Sequence, residues 1–292
     1  MLARTGEELL KICKENNISL SEYAIRCEVE EKSLTREEVI EKMRKNLNVM
    51  MAAAKEGTEK EVYSVSGLIG GDGHKLYEYS KSKKTLTGRA TTIAMAMALA
   101  SSEVNASMGK IVACPTAGSC GILPAVILAA GEILELNEDE LIKGLLAAAA
   151  VGLIIGLNAT LSGAEGGCQA ECGSASAMGA AAVVEMMGGT PKMSLDAGSI
   201  ILQNILGLVC DPVAGLVEIP CAKRNAQGAI TALCTADMVM AGIEAKIPFD
   251  EAVIAMYKVG KSLPSSLRET AMGGIATTPT GLRLKKQVFG DE

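Results

Sequence analysis

The sequence has no tryptophan, two phenylalanines and a single histidine in 292 residues. The apolar fraction of 49% is therefore carried by Ala, Leu, Ile, Val and Met. Those side chains suit close helix-on-helix packing and argue against a β-sandwich. Positive charge is also short: the formal net charge is −6, and no stripe of Lys and Arg interleaves with aromatics. Nucleic acid is excluded as an expected partner. The longest apolar run, Gly144–Leu157, has 14 residues, where roughly 20 are needed to cross a bilayer. A buried core helix is expected there, with no membrane segment. The N-terminal stretch "MLARTGEELLK" has no apolar signal core behind it. The expectation is a cytoplasmic protein.

What is present reads as helices. Thr5 with Glu8, Ser19 with Glu22 and Thr35 with Glu38 each place a hydroxyl three residues ahead of a carboxylate, the pattern of a capping box. After the third, Val39, Met43, Leu47, Met50 and Ala54 recur at helical spacing, and Gly57 is the expected stop. Residues 4–56 thus read as an N-terminal helical layer. Residues 63–88 break the pattern with a glycine-rich loop that holds the only histidine, His74. Beyond it the periodicity predicts helices over 90–108, 122–135, 138–161, 169–187, 194–208, 228–245 and 250–262, with Asn137 and Glu140 capping the third. Polar turns rich in Gly and Pro separate them at 113–121, 163–173, 210–227 and 272–283. No linker or internal repeat divides the chain. One all-α domain over 1–292 is expected, its helical core at 90–283.

Nine cysteines, an odd number without an export signal, argue against a disulfide framework and for metal or catalytic use. Cys13, Cys27 and Cys234 lie in helical patterns and read as core filler. The other six fall in or beside turns: Cys114 and Cys120, Cys168 and Cys172, Cys210 and Cys221. There is no C-x-x-C pair for a zinc ribbon. Iron–sulfur clusters accept thiolates from scattered loops, often with a nearby proline, and Pro212 and Pro220 lie beside Cys210 and Cys221. Spacing alone leaves both a cluster and inert buried thiols open.

Four stretches, "KIVACPTAGSCGILPAV", "SGAEGGCQAECGSASAMGAAA", "CDPVAGLVEIPCAKRNAQGA" and "GGIATTPTGLR", occur in that order. They resemble the α chain of the bacterial iron–sulfur-dependent L-serine dehydratases of the two-chain type, and the resemblance runs essentially end to end. It implies deamination of L-serine to pyruvate and ammonia with a [4Fe–4S] cluster on three cysteines, here Cys168, Cys210 and Cys221. One iron then keeps no protein ligand and acts as a Lewis acid on the serine hydroxyl. Cys172, one helical turn beyond Cys168 and on the same helix face, is left as either a further ligand or a packed neighbour, and the resemblance implies a β chain as partner. Single-chain relatives end in a cysteine that reaches the open iron, whereas this sequence ends "KKQVFGDE" and its last cysteine is Cys234.

Candidate roles follow from residue chemistry. Glu165 and Glu171 flank Cys168 and can receive the substrate ammonium, cap a helix or pair with Arg224. Thr116 and Ser119, in a turn feeding a helix, offer hydroxyls and nearby N–H groups to a carboxylate, with simple capping as the alternative. Asn225 and Arg283 are further substrate-binding candidates. His74 has the side chain best suited to proton transfer near neutrality, although the resemblance places a histidine-bearing loop, and with it a possible base, on the β chain. Two rival functions remain: a pyridoxal-phosphate dehydratase, for which the alternating strands and helices are missing, and a non-catalytic helical metal-binding subunit.

Overall fold

The computed structural model describes residues 2–81 and 84–290; Ser82 and Lys83 of the glycine-rich stretch and the terminal Asp291 and Glu292 lie outside the described residues. Thirteen α-helices account for most of them, and β structure is limited to two isolated bridges among the described residues. Three N-terminal helices, α1 (Gly6–Asn16), α2 (Leu20–Lys32) and α3 (Arg36–Glu59), precede α4 (Asp72–Ser80) and α5 (Gly88–Ala106). Next come α6 (Ile122–Ile133), α7 (Glu138–Asn158), the short α8 (Gly163–Gly166) and α9 (Cys168–Met186). The chain closes with α10 (Pro191–Ile205), α11 (Cys221–Met240), α12 (Phe249–Ser262) and α13 (Pro279–Phe289). The expected all-α single domain is what the chain forms.

The capping residues act as their chemistry dictates. Thr5, Ser19, Thr35 and Asn137 accept the N–H of Glu8, Glu22, Glu38 and Glu140 respectively, and the reciprocal bond closes at Thr35 and Asn137. At Ser19 it does not, because Glu22 is drawn to Arg26 and Arg36 instead.

At the centre lies α9. Every residue from Cys168 to Val184 is buried, since its Ala, Gly, Ser and Cys side chains let α6, α7, α10 and α11 approach from all sides. A helix apolar all round belongs in a core. By length and composition α7 could cross a bilayer, but most of it is buried against α2, α3 and α9.

Several boundaries differ from the sequence reading. Of the N-terminal helices, α2 and α3 pack on each other and both lie against α7, with α3 also on α5, while α1 packs on α10 and α12. Gly57 does not stop α3, which runs to Glu59; a Cβ at Gly57 would lie 2.7 Å from Ala100 of α5. A Cβ at Gly73 would likewise lie 2.7 Å from the backbone nitrogen of Ala100, so α3 and α4 both close on one point of α5. Gly73 belongs to α4, a helix inside the supposed loop. Cys234 is exposed rather than core.

Helix α4 owes its start to a residue far away in sequence. Its N-cap, Gly71, has no side chain to offer, and the buried Glu103 of α5 supplies the missing acceptor to the N–H groups of Asp72 (2.7 Å) and Gly73 (3.2 Å). Burial, reinforced by the charge of Asp72, outweighs those bonds and Lys75, and pushes the Glu103 carboxyl up to about 7 from an ordinary 4.5.

Two outcomes are expected. Between pH 4.5 and 7 the folded chain keeps a proton on Glu103 that the unfolded chain has released, so this group's contribution to stability falls as pH rises through that window and is flat above it. The fall is on the order of 3 kcal/mol, and urea unfolding across the range should show a shallower slope in Glu103→Gln. Gly57→Val, which forces a branched side chain against Ala100, should cost about 1–3 kcal/mol in the same assay.

Candidate metal centre

Cys168 and Cys221 are the first residues of α9 and α11, at the positive end of each helix dipole, a position that favours a thiolate. Helix α11 thus begins seven residues before the expected 228, which lies well inside it. Cys210 lies between them in the chain, on an extended stretch paired with residues 267–269. Its N–H donates to Leu267 O at 2.9 Å, and Glu269 N–H donates to Cys210 O at 2.7 Å.

An ion pair between partly buried Arg224 and buried Asp211 braces these segments. Arg224, one turn into α11, donates to Asp211 Oδ1 and to Val209 O, both at 2.9 Å, and so holds the residues on either side of Cys210. The second oxygen of Asp211 accepts Ile275 N–H at 2.8 Å. The preceding Gly274 lies so close to Asp211 that no Cβ fits.

All four cysteines here are buried, and their thiols respond to one another. Cys168 Sγ lies 3.3 Å from Cys172 Sγ, in hydrogen-bond contact and too far for a disulfide. That contact, with the nearby Arg224 charge, holds the Cys168 thiol below its ordinary range against the effect of burial. The same contact, with burial, pushes Cys172 well up, so of the two thiols Cys168 is the one that ionises first. Burial, followed by the charges of Cys168 and Glu171, raises Cys221 to about 12. Burial also raises Cys210, helped by Cys168, Glu171, Glu269 and Cys221. Burial works against the Arg224 charge, yet Cys168 and Asp211 hold it firmly protonated.

Ligand atoms of Cys168, Glu171 and Cys172 lie within 4.8 Å of one another, close enough to share a metal. The set is rich in soft sulfur and has no histidine, which favours an iron–sulfur centre over zinc or a hard cation. Buried thiols with a fixed cation beside them fit an anionic cluster.

The turn before α6 borders this group. Buried Glu171 accepts a hydrogen bond from Thr116 Oγ1, and its carboxylate leaves no room for a Cβ on Gly118. Burial, with the charge of Glu269, raises the Glu171 carboxyl despite that bond. Buried Ser119 places its hydroxyl 3.0 Å from that of Thr116. The N–H groups of Cys120 and Gly121 are taken by Ala117 O and Asn225 Oδ1, so they are not free donors for an anion. Asn225 is fully engaged: its Nδ2 donates to Gly118 O at 2.7 Å and to Cys221 O at 2.9 Å, tying the turn to α11.

Of the candidate residues, Cys168, Cys210, Cys221, Glu171, Thr116, Ser119 and Asn225 come together here, with Cys172. Three do not join them by any hydrogen bond or ion pair among the described residues. His74, on α4, donates from Nδ1 to Thr58 O at 2.8 Å, which leaves Nε2 unprotonated in the neutral ring. Glu165 is exposed on α8, and Arg283 is exposed on α13. Arg224 pairs with Asp211, not with Glu165 or Glu171. Sequence reasoning missed Asp211 and Glu269. Asp211 carried a signal, lying between Cys210 and Pro212 in a recognisable motif, whereas Glu269 carried none.

A family model described as "Serine dehydratase alpha chain" matches residues 15–276. The chain is 51% identical over 287 residues to "Probable L-serine dehydratase, alpha chain" of Bacillus subtilis (strain 168), covering 98% of this chain and 95% of that one. It is 46% identical over 285 residues to "L-serine dehydratase, alpha chain" of Peptoniphilus asaccharolyticus, covering 98% of both. Against "L-serine dehydratase" of Streptomyces coelicolor, identity is 36% over 281 residues, 94% of this chain but 60% of the longer relative. A match over most of the length, on a chain whose buried thiols gather at one centre, has one reading: the chain belongs to the serine dehydratase alpha-chain family.

Proposed function

We propose that this chain is the cluster-bearing subunit of an L-serine ammonia-lyase, which converts L-serine to pyruvate and ammonia together with a β chain. One observation carries the reading. Cys168, Cys210 and Cys221 arrive from three separate segments, each buried and each within reach of the others' charge. Such a set suits a [4Fe–4S] cluster held by three thiolates. Bound there, the cluster supplies a Lewis-acidic iron for the serine hydroxyl, a poor leaving group on its own.

The chain's own residues do the rest. Arg224, fixed by Asp211, offsets the negative charge gathered by three thiolates and Glu171. Cys172, one helical turn from Cys168 and in contact with its sulfur, packs beside the ligands and is not a fourth one. Glu171, held by Thr116, is the residue of this chain positioned beside the thiols to take or hold a proton at the substrate. Asn225 keeps the turn bearing Thr116 and Ser119 against α11 and fixes where Glu171 lies. Loss of the α-proton and the hydroxyl gives aminoacrylate, which tautomerises to an imine and is hydrolysed by water. His74 bonds to Thr58 and does not join this group, so a histidine from the β chain is the second candidate to accept a proton.

Anaerobic purification with iron and sulfide counts tests the assignment. Cys168→Ala, Cys210→Ala and Cys221→Ala should each lose iron and at least tenfold of pyruvate formation, while Cys172→Ala keeps its iron. Pyruvate formation that survives iron loss overturns the cluster reading, and a yellow chromophore bleached by hydroxylamine would point to pyridoxal phosphate instead. Alone, the chain should bind iron but turn serine over poorly until the β chain is added. Equal turnover without it overturns the partner assignment.

A further inference from the structure

Glu269 was invisible in the sequence, and the fold carries it into the thiol group. Its backbone N–H is bonded to Cys210 O at 2.7 Å, so it moves with a proposed cluster ligand. Its side chain reaches the space above Gly163. A Cβ built on that glycine would lie 3.0 Å from Cys210 Sγ and 3.3 Å from both Glu171 Oε2 and Glu269 Oε2. Two carboxylates and a thiol thus face the same small volume, and only hydrogen on Gly163 keeps it open.

The backbone at Glu269 is unusual as well. It is a non-glycine residue at φ 64°, in the left-handed region, and Ala271 follows at φ 55°. Strain of this kind persists where surrounding contacts enforce it and gathers at functional positions. Here the bonds of Leu267 and Glu269 to Cys210 do the enforcing.

The charges around this space do not balance. Arg224 is committed to Asp211 and Val209 O. Among the described residues the Glu269 carboxylate makes no hydrogen bond or ion pair, while Glu171 has only the neutral Thr116 hydroxyl. Glu269 is exposed and Glu171 buried, so Glu269 stands on the solvent side of the pair. A mobile cation entering from solvent would meet Glu269 first and complete both groups.

We infer that Glu269 binds the α-ammonium of the amino-acid substrate, shared with Glu171, and thereby selects amino acids over hydroxy acids that lack the amine. The inference rests on the proposed deamination of L-serine and adds a residue to that site. It assigns the ammonium to an exposed carboxylate on the 265–271 segment, in place of Glu165, which faces solvent on α8.

The test uses the anaerobically prepared complex with the β chain and the variants Glu269→Gln and Glu269→Asp. Glu269→Gln keeps shape and removes charge, and at an exposed position it should fold and hold iron and sulfide as the parent does. Its KM for L-serine should rise about tenfold or more, with kcat within about threefold, since an ionic contact of this kind is worth at least that factor. Inhibition by 3-hydroxypropionate, which is serine without its amine, should stay as in the parent. Glu269→Asp should recover part of the lost affinity. An unchanged KM overturns the assignment. So does an equal weakening of L-serine and 3-hydroxypropionate, which would mean that Glu269 only positions Cys210. A parent complex that forms no pyruvate defeats the deamination reading itself, whereas an active parent with an unaltered variant defeats this contact alone.

Discussion

The centre depends on the Arg224–Asp211 pair. A partly buried guanidinium beside a buried carboxylate is costly to desolvate unless the partners are well placed, and here each partner also fixes chain geometry. Asp211 and Val209 flank Cys210, while Arg224 stands three residues beyond Cys221 on α11. One side chain therefore sets the spacing between two thiols that are eleven residues apart along an irregular stretch. The other oxygen of Asp211 holds the 274–275 backbone, so the brace reaches a third segment. Leaving either partner alone would strand an uncompensated buried charge, a loss typically of 3–5 kcal/mol.

The helices make the site possible by being thin. Without large aromatic side chains, α9 can be surrounded, and a buried helix whose first residue is Cys168 carries that thiol into the molecule's interior. Gly228 of α11 lies where a Cβ would meet Ser176 Oγ of α9 at 2.6 Å, so the two cysteine-bearing helices run in close contact. The small-residue composition that argued for helix packing is also the condition that lets Cys168 and Cys221 approach one centre from two helix N-termini.

How much of this the sequence revealed depended on how local the cause was. The caps at Thr5, Ser19, Thr35 and Asn137 were legible because hydroxyl or amide and target N–H lie three residues apart. Helix α4 was hidden because its acceptor, Glu103, is about thirty residues away and its own start is glycine-rich. The start of α11 was hidden for a related reason: no capping side chain marks Pro220, and the helix is held by Arg224 and Asn225 reaching outward. Gly57 was misread because a glycine that ends a helix and one that lets another helix approach look the same in one dimension. The thiols were legible through motif resemblance, and Glu269 was not, since only pairing with Cys210 brings it there.

That pairing has a consequence for how the site works as a unit. Segment 265–278 contains no α-helix; it is built from 3-10 turns and three residues with positive φ, Glu269, Ala271 and Gly274. What holds it are its backbone bonds to Cys210 and the bond from Ile275 to Asp211. A force that shifts this segment must therefore pull on a proposed ligand or on the brace beside it. Conversely, whatever fixes Cys210 Sγ in place also fixes the segment that carries Glu269. The thiol, the brace and the exposed carboxylate share one short stretch of backbone, so filling the centre and shaping its mouth are a single conformational event.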